Sequence, residues 1–361
     1  MMGPKQEAQA ALFYEFSLED HVPQGHLLRS IDRFVDLSSI RAHLAGFYSH
    51  TGRPSVDPEL LIRMLLVGYC FGIRSERRLC EEVHLNLAYR WFCRLDLSDR
   101  VPDHSTFSRF RNRLSKAAME QINSEILRQF ESKGLSINEG IAVDARLVES
   151  ASRPLSNDEL KKKRAHRDTE EGQKDKNGKP LKFSRDLESD WTIKNEAPHF
   201  GIKEHTAVDA RHGFILATIH SPASVHDTNF LQYCTIFSRH TNKPIKIVYA
   251  DKGYAGLPNR NFLSENKIAE GIMRKDSTTA KLTDREIERN KKISKVRYIV
   301  EQYFGISHLH DKAKRARFTT IMKNNLDAWF RQVYPVKFEE HLNGAAFNIT
   351  RGLKILKVAT V

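Results

Sequence analysis

The chain has 361 residues, 40% of them hydrophobic, and its 58 Lys and Arg exceed its 45 Asp and Glu to leave a formal charge of +13. At roughly 100–200 residues per domain, that length points to two or three domains that need no disulfide or metal staples. The lean composition, with a mean hydropathy of −0.52, excludes a membrane-embedded protein, and the positive field favours polyanions, nucleic acid first.

Four cysteines, Cys70, Cys80, Cys93 and Cys234, form no C-x-x-C pair, which fits a reducing cytoplasm. Cys80 and His84 read as a core thiol and a surface imidazole rather than zinc ligands, because ligand spacings come in tight pairs. Met1 to Ala11 contains Lys5, Glu7 and Gln9 and lacks the apolar run of a signal peptide, so a cytoplasmic location is expected.

Residues 1–135 read as a helical domain. Asp57-Pro58 supplies a cap and a first-turn proline, Leu60, Leu61, Met64, Leu65 and Leu66 an apolar stripe, and Gly72 a stop. A second helix starts near Ser75 with Leu79 and Val83, and a third carries Leu87, Trp91 and Leu95. Asp103-His104-Ser105 offers caps to Thr106 to Leu114, where Phe107, Phe110 and Leu114 form a packing face. Arg109 and Arg113 point elsewhere, with Arg111 at the edge of that face. This is what a helix-turn-helix recognition helix requires, though a solvated basic face has the same pattern. A further amphipathic helix, Ser115 to Lys133, ends at Gly134.

Residues 136–361 change period. Ile141 to Asp144, Gly201 to Asp209, Gly213 to Ile219 and Ile245 to Ala250 are short β-rich runs, so an α/β domain is expected. Between its first two strands, residues 151–190 hold 11 Lys and Arg, 9 Asp and Glu and seven apolar residues. That composition cannot form its own core and reads as a mobile charged insertion or a solvated linker. A long helix returns from Thr283 to Phe304. The stretch from Lys291 to Phe318 carries eight Lys and Arg against Glu301 and Asp311, and closing helices are expected from about Met322 and near Ala345 to Leu356.

Three acids stand in apolar surroundings. Asp144 ends Gly140-Ile-Ala-Val, Asp251 ends Ile247-Val-Tyr-Ala, and Glu301 follows Val296-Arg-Tyr-Ile-Val. Each is costly unless paired or bound to a metal. Converging, they would repel one another unless a cation lay between them, and hard oxygen donors select Mg²⁺, with Mn²⁺ able to substitute. Arg297 lies four positions before Glu301, on the same helix face, where it can steady the carboxylate or a phosphate. Asp209 ends the second strand as Asp144 ends the first, and is weighed as a further ligand or a turn former. Trp191 is weighed as a base-stacking platform or a core anchor. Tyr254 is rejected as a covalent nucleophile because no activating partners surround it.

Taken together, the motifs Gly52-Arg-Pro-Ser, Pro102-Asp-His-Ser-Thr-Phe-Ser-Arg-Phe-Arg, Val143-Asp-Ala-Arg-Leu-Val-Glu-Ser, His199-Phe-Gly-Ile-Lys-Glu-His-Thr-Ala-Val-Asp, Asp251-Lys-Gly-Tyr and Arg297-x-x-x-Glu301 are similar to those of DDE-class insertion-sequence transposases. The resembling group lies near insertion-sequence families five and eleven-eighty-two, and the resemblance covers almost the whole chain. It implies an RNase H-like catalytic domain in which Asp144, Asp251 and Glu301 bind divalent metal. It also implies cutting and rejoining of double-stranded DNA at terminal inverted repeats, with a homodimer expected in the DNA complex. Two positions depart from the group's Y-x-x-R-x-x-x-E-x-x-x-x-x-x-K signature: Ser294 stands for the tyrosine and His308 for the lysine, with Lys312 a turn further on. Arg109, Arg111, Arg113, His308, Lys312, Lys314 and Arg315 are the candidate DNA contacts. A silent transposase-derived repressor and a metal-dependent nuclease without strand transfer are the alternative readings.

Overall fold

Caps and stop signals cut the first part of the chain into short helices: α1 (Leu18–His21), α2 (Leu27–Phe34), α3 (Ser38–Leu44), α4 (Pro58–Cys70), α5 (Glu76–Leu85), α6 (Leu87–Phe92) and α7 (Ser105–Arg113). The computed structural model describes residues 16–34, 36–48, 51, 55–73, 75–113, 140–150, 152–169, 186–239, 244–276, 281–309 and 314–315, with single positions at 125, 128–129, 131–133, 174 and 178. Leu114, most of 115–139 and the expected closing helices beyond 315 lie outside the described residues.

Asp57 caps α4 by accepting from the Glu59 N–H at 3.0 Å, and Pro58 opens the helix. Leu61, Ile62, Met64, Leu65, Leu66 and Val67 are all buried, so α4 is the centre of the helical part. Arg63 is buried among them and pairs with Glu59 and Asp32, each at 2.8 Å. Ser75 caps α5, and Leu79 and Val83 point inward. α6 stops at Phe92, short of the expected Leu95, because Arg94 takes a left-handed φ of 59° that ends the helix. The buried Arg90 guanidinium then donates to the carbonyls of Asp96, Leu97 and Asp99. This shapes the loop that leads into α7, where Phe107 and Phe110 anchor the helix.

The second part is a sheet flanked by helices: β1 (Gly140–Glu149), α8 (Asn157–Asp168), β2 (Asp190–Lys194), β3 (Ala197–Asp209), β4 (Ile215–Pro222), α9 (Leu231–Phe237), β5 (Ile247–Ala250), α10 (Leu257–Glu265), β6 (Ala269–Ile272) and α11 (Asp284–Leu309). β3 is antiparallel to β1 on one edge and to β2 and β4 on the other. β1 and β5, and β5 and β6, pair in parallel. Gly201 lies where β1 and β2 both meet β3, and a Cβ there would stand 2.1 Å from the Val148 carbonyl oxygen, so only glycine fits.

Strand alternation sends side chains to two different layers. Ile141 and Val143 join Leu216, Leu231, Cys234 and Leu263 in one apolar layer with α9 and α10. Ala142, Val208 and Ile215 face Val300 and Tyr303 of α11. The molecule is thus a mixed α/β fold with a helical N-terminal region. Among the described residues no helix is long and apolar enough to cross a membrane.

The charged insertion departs from the expectation at both of its ends. Ser156 and Glu159 form a reciprocal capping box that starts α8. Leu155, Leu160 and Leu187 pack with Phe200 in a small core, with Trp191 against it. Three leucines of the segment pack on Phe200 of β3, so its ends are ordered by a core shared with the sheet and not by one of the segment's own.

Candidate active site

β1 places Asp144 on the α11 side of the sheet, between Ala142 and Arg146. The parallel register pairs Ala142 with Tyr249, so two residues further on Asp144 and Asp251 come level, Asp251 just beyond the end of β5. The Ala145 N–H donates to Asp144 Oδ1 at 2.8 Å, and Arg297 Nη2 donates to Oδ2 at 2.7 Å. Asp251 caps the short 3-10 turn Lys252–Tyr254 by accepting from the Gly253 N–H at 2.8 Å.

Burial pushes the Asp144 carboxyl up to about 6, against the pull of Arg297 and the Ala145 N–H, and the Asp251 and Glu301 carboxylates push it further in the same direction. Asp251 and Glu301 therefore both lie within electrostatic reach of Asp144. Among the described residues, however, no three His, Cys, Asp or Glu side chains stand close enough to hold a metal ion as they are.

Two expectations about α11 are corrected. Glu301 is exposed, not enclosed by its bulky neighbours, because Val300 and Tyr303 take the sheet-facing positions beside it. Arg297 turns its guanidinium to Asp144, not to Glu301. It is 7% exposed, and its Nε is buried with no hydrogen-bond partner.

Beside this pair lies a network that sequence reading missed. Glu204 of β3 is fully buried and directly opposite Arg146 of β1. Its Oε2 accepts from Arg146 Nε at 2.7 Å, and its Oε1 accepts from Tyr303 Oη at 2.9 Å and Thr206 Oγ1 at 3.1 Å. Arg146 also lies over the Tyr303 and Phe304 rings. The network ties α11 to β1 and β3, two residues from both Asp144 and Glu301. The signal was present: a glutamate inside a β-rich run, and an arginine two positions after the first aspartate.

The other candidates are dispersed. Arg109 is exposed on α7, with only a 3.4 Å contact to Ser105 Oγ. Arg111 and Arg113 belong to the same helix, and their side chains lie outside the described residues. His308 is exposed in the last turn of α11, and Lys312 lies outside the described residues. Lys314 and Arg315 pair with the far end of β1: the Lys314 carbonyl accepts from the Glu149 N–H at 2.9 Å, and Arg315 Nε donates to the Ser150 carbonyl at 2.8 Å. Glu149 is five strand residues past Asp144, about 17 Å along the chain, so these cations do not join the acids directly.

Asp209 acts as a turn former, accepting from the His212 N–H. Trp191 is a core anchor that packs on Phe200 and donates to the Leu155 carbonyl at 2.8 Å. Tyr254 is buried, and burial with the nearby Asp144 carboxylate pushes its phenol well above the ordinary value, which keeps it a neutral side chain. Burial likewise raises the Cys80 thiol to about 11.

Two family profiles match the chain: a transposase domain (DUF772) over residues 16–113 and a transposase DDE domain over residues 137–330. The transposase for insertion sequence element IS1106 of Neisseria meningitidis serogroup B is 31% identical over 249 residues, covering 68% of this chain and 77% of the relative. Among solved structures, the chain is similar to a piggyBac transposase synaptic complex with hairpin DNA at 9% identity, covering 91% of this chain and 72% of that one. The TM-score is 0.40, too low to bear on function.

Proposed function

The chain belongs to the DDE transposase family, and we propose that it cuts and rejoins double-stranded DNA at the terminal inverted repeats of an insertion sequence by two-metal phosphoryl transfer. The observation that carries this reading is the placement of Asp144 on the α11 face of the sheet, paired with Arg297 at 2.7 Å, with Asp251 at the end of the adjoining parallel strand β5 and Glu301 one helical turn beyond Arg297. Three antiparallel strands, joined through β1 to two parallel ones, support an RNase H-like catalytic domain over residues 136–361. Residues 1–135 form the DNA-binding part in this account, with α7 as the recognition helix of a helix-turn-helix-like unit and Arg109, Arg111 and Arg113 as its contacts.

The donor set fits Mg²⁺ or Mn²⁺, because all three acids offer hard oxygens and no thiol or imidazole competes. Asp144, Asp251 and Glu301 would hold the ions, whose chemistry is to activate the attacking oxygen and stabilise the leaving one. The protein's own part is to order the acids. The Ala145 N–H and Arg297 orient Asp144, and the Gly253 N–H orients Asp251 through one oxygen only. In this reading the protein works in the bacterial cytoplasm, as a homodimer on the DNA.

Asp251→Asn tests the reading, since it removes a charge while keeping the shape and the accepting oxygen. Cleavage of DNA ends in Mg²⁺ is expected to fall by about 10²-fold or more with duplex binding retained. Cleavage within tenfold of wild type would overturn the assignment, and binding without cleavage by the wild-type chain would favour the silent repressor.

A further inference from the structure

We infer that the insertion helix α8 is a second DNA-contacting surface that grips duplex phosphates without reading sequence, an inference that rests on the chain acting on DNA.

The helix is mounted rigidly. Its capping box, Leu160 in the small core and Arg164 hold it in place, the last donating to the carbonyls of Leu187 and Ser189 at 2.9 Å each. The carbonyls that Arg164 grips belong to a buried knot. There Asp186 accepts from the backbone N–H groups of Glu188 and Ser189 at 3.0 and 2.9 Å, and from Ser150 Oγ at 3.2 Å. Ser150 is also the residue whose carbonyl Arg315 grips. Hydrogen bonds therefore run from Arg315 through the end of β1 to α8, which puts Lys314, Arg315 and the helix at one end of the sheet.

What this mounting displays is unpaired positive charge. Lys161 and Lys162 are exposed and Lys163 is half-buried, and none of the three has an ion pair or hydrogen bond among the described residues. Of the two acids four positions back, Glu159 is turned onto Ser156 to close the capping box, and Asp158 makes no ion pair with Lys162 among the described residues. Arg153, at the root of the insertion, is exposed and likewise unpaired. The capping box and the small core keep this run of like charges ordered on the helix. Consecutive helical residues fan out by about 100° each, so the three ammonium groups spread around the outer side of α8, and lysine suits phosphate as a point charge without base readout. A free solvated run would need neither cap, core nor knot.

The test uses the full-length chain and a labelled duplex of about 30 base pairs of arbitrary sequence, with affinity measured across a salt series. In the triple variant Lys161→Gln/Lys162→Gln/Lys163→Gln the slope of log affinity against log salt should become shallower by about one for each phosphate that is no longer neutralised. The weakening should be equal on unrelated sequences and amount to roughly tenfold or more near 100 mM salt. The corresponding triple arginine variant, which keeps the charge, should retain the wild-type slope. An unchanged slope in the folded glutamine variant, with circular dichroism as the check, would overturn the inference while leaving the proposed function standing. So would an arginine variant as weak as the glutamine one. A wild-type chain that binds no duplex would overturn both.

Discussion

The two faces of one sheet divide the labour of this molecule. On the α9 and α10 side, Ile141, Val143, Leu216, Leu231 and Cys234 meet in an apolar layer, with the buried His205 bonded to Ser221 and the Lys203–Asp227 pair beside it. On the α11 side the same strands present Asp144, Arg146, Glu204 and Thr206 to Arg297 and Tyr303. A shift of one residue along β1 separates a core position from a site position. The apolar layer is held chiefly by burial and tolerates losses one at a time. The polar face is a coupled network in which each member is stable only while its partners remain.

That difference can be broken by substitution. Glu204→Leu leaves the Arg146 guanidinium desolvated and unpaired, and should lower unfolding stability by about 3–5 kcal/mol. Arg146→Met combined with Glu204→Leu should return most of that loss, since two apolar groups replace a buried pair at little net cost. Leu231→Ala on the other face should cost about 2–5 kcal/mol with no partner change able to rescue it. Denaturant titration of the four proteins decides the matter. If the double variant is no better than the Glu204 single variant, the polar face is not a coupled pair.

The sequence announced these faces unequally. Helix caps at Asp57, Ser75 and Asp103 were legible because each is a local hydrogen bond. Asp144 and Asp251 were legible because an acid closing an apolar run is conspicuous, and Arg297 because helical spacing puts it near Glu301. β2 and β6 were missed: Asp-Trp-Thr-Ile-Lys and Ala-Glu-Gly-Ile are short and gain strand form only by pairing with β3 and β5. The exposure of Glu301, the choice of Asp144 by Arg297 and the Glu204 network depend on how α11 is rotated against the sheet, which no local pattern encodes. The packed ends of the insertion were hidden for the same reason, because Leu160 and Phe200 are far apart in the chain.

A smaller effect sharpens the electrostatic side. The Asp144 carboxyl is raised from its ordinary value of 3.8 to about 6, so its contribution to stability is full below about 4 and is lost as pH rises through about 6. A divalent cation can offset this cost only where the carboxyl is ionised. Mg²⁺ should therefore raise the melting temperature at about pH 8, by an amount that fades below about pH 6, and Asp144→Asn should abolish the dependence. A Mg²⁺ effect that is independent of pH would place the ion elsewhere.

The most direct test of the polar face as a catalytic centre is Glu301→Gln, because Glu301 is exposed and makes no hydrogen bond or ion pair among the described residues, so the variant has no structural reason to misfold. DNA-end cleavage in Mg²⁺, measured beside duplex affinity and melting temperature, is predicted to drop by about 10²-fold or more while the other two stay at wild-type values. Cleavage within tenfold of wild type would contradict the account.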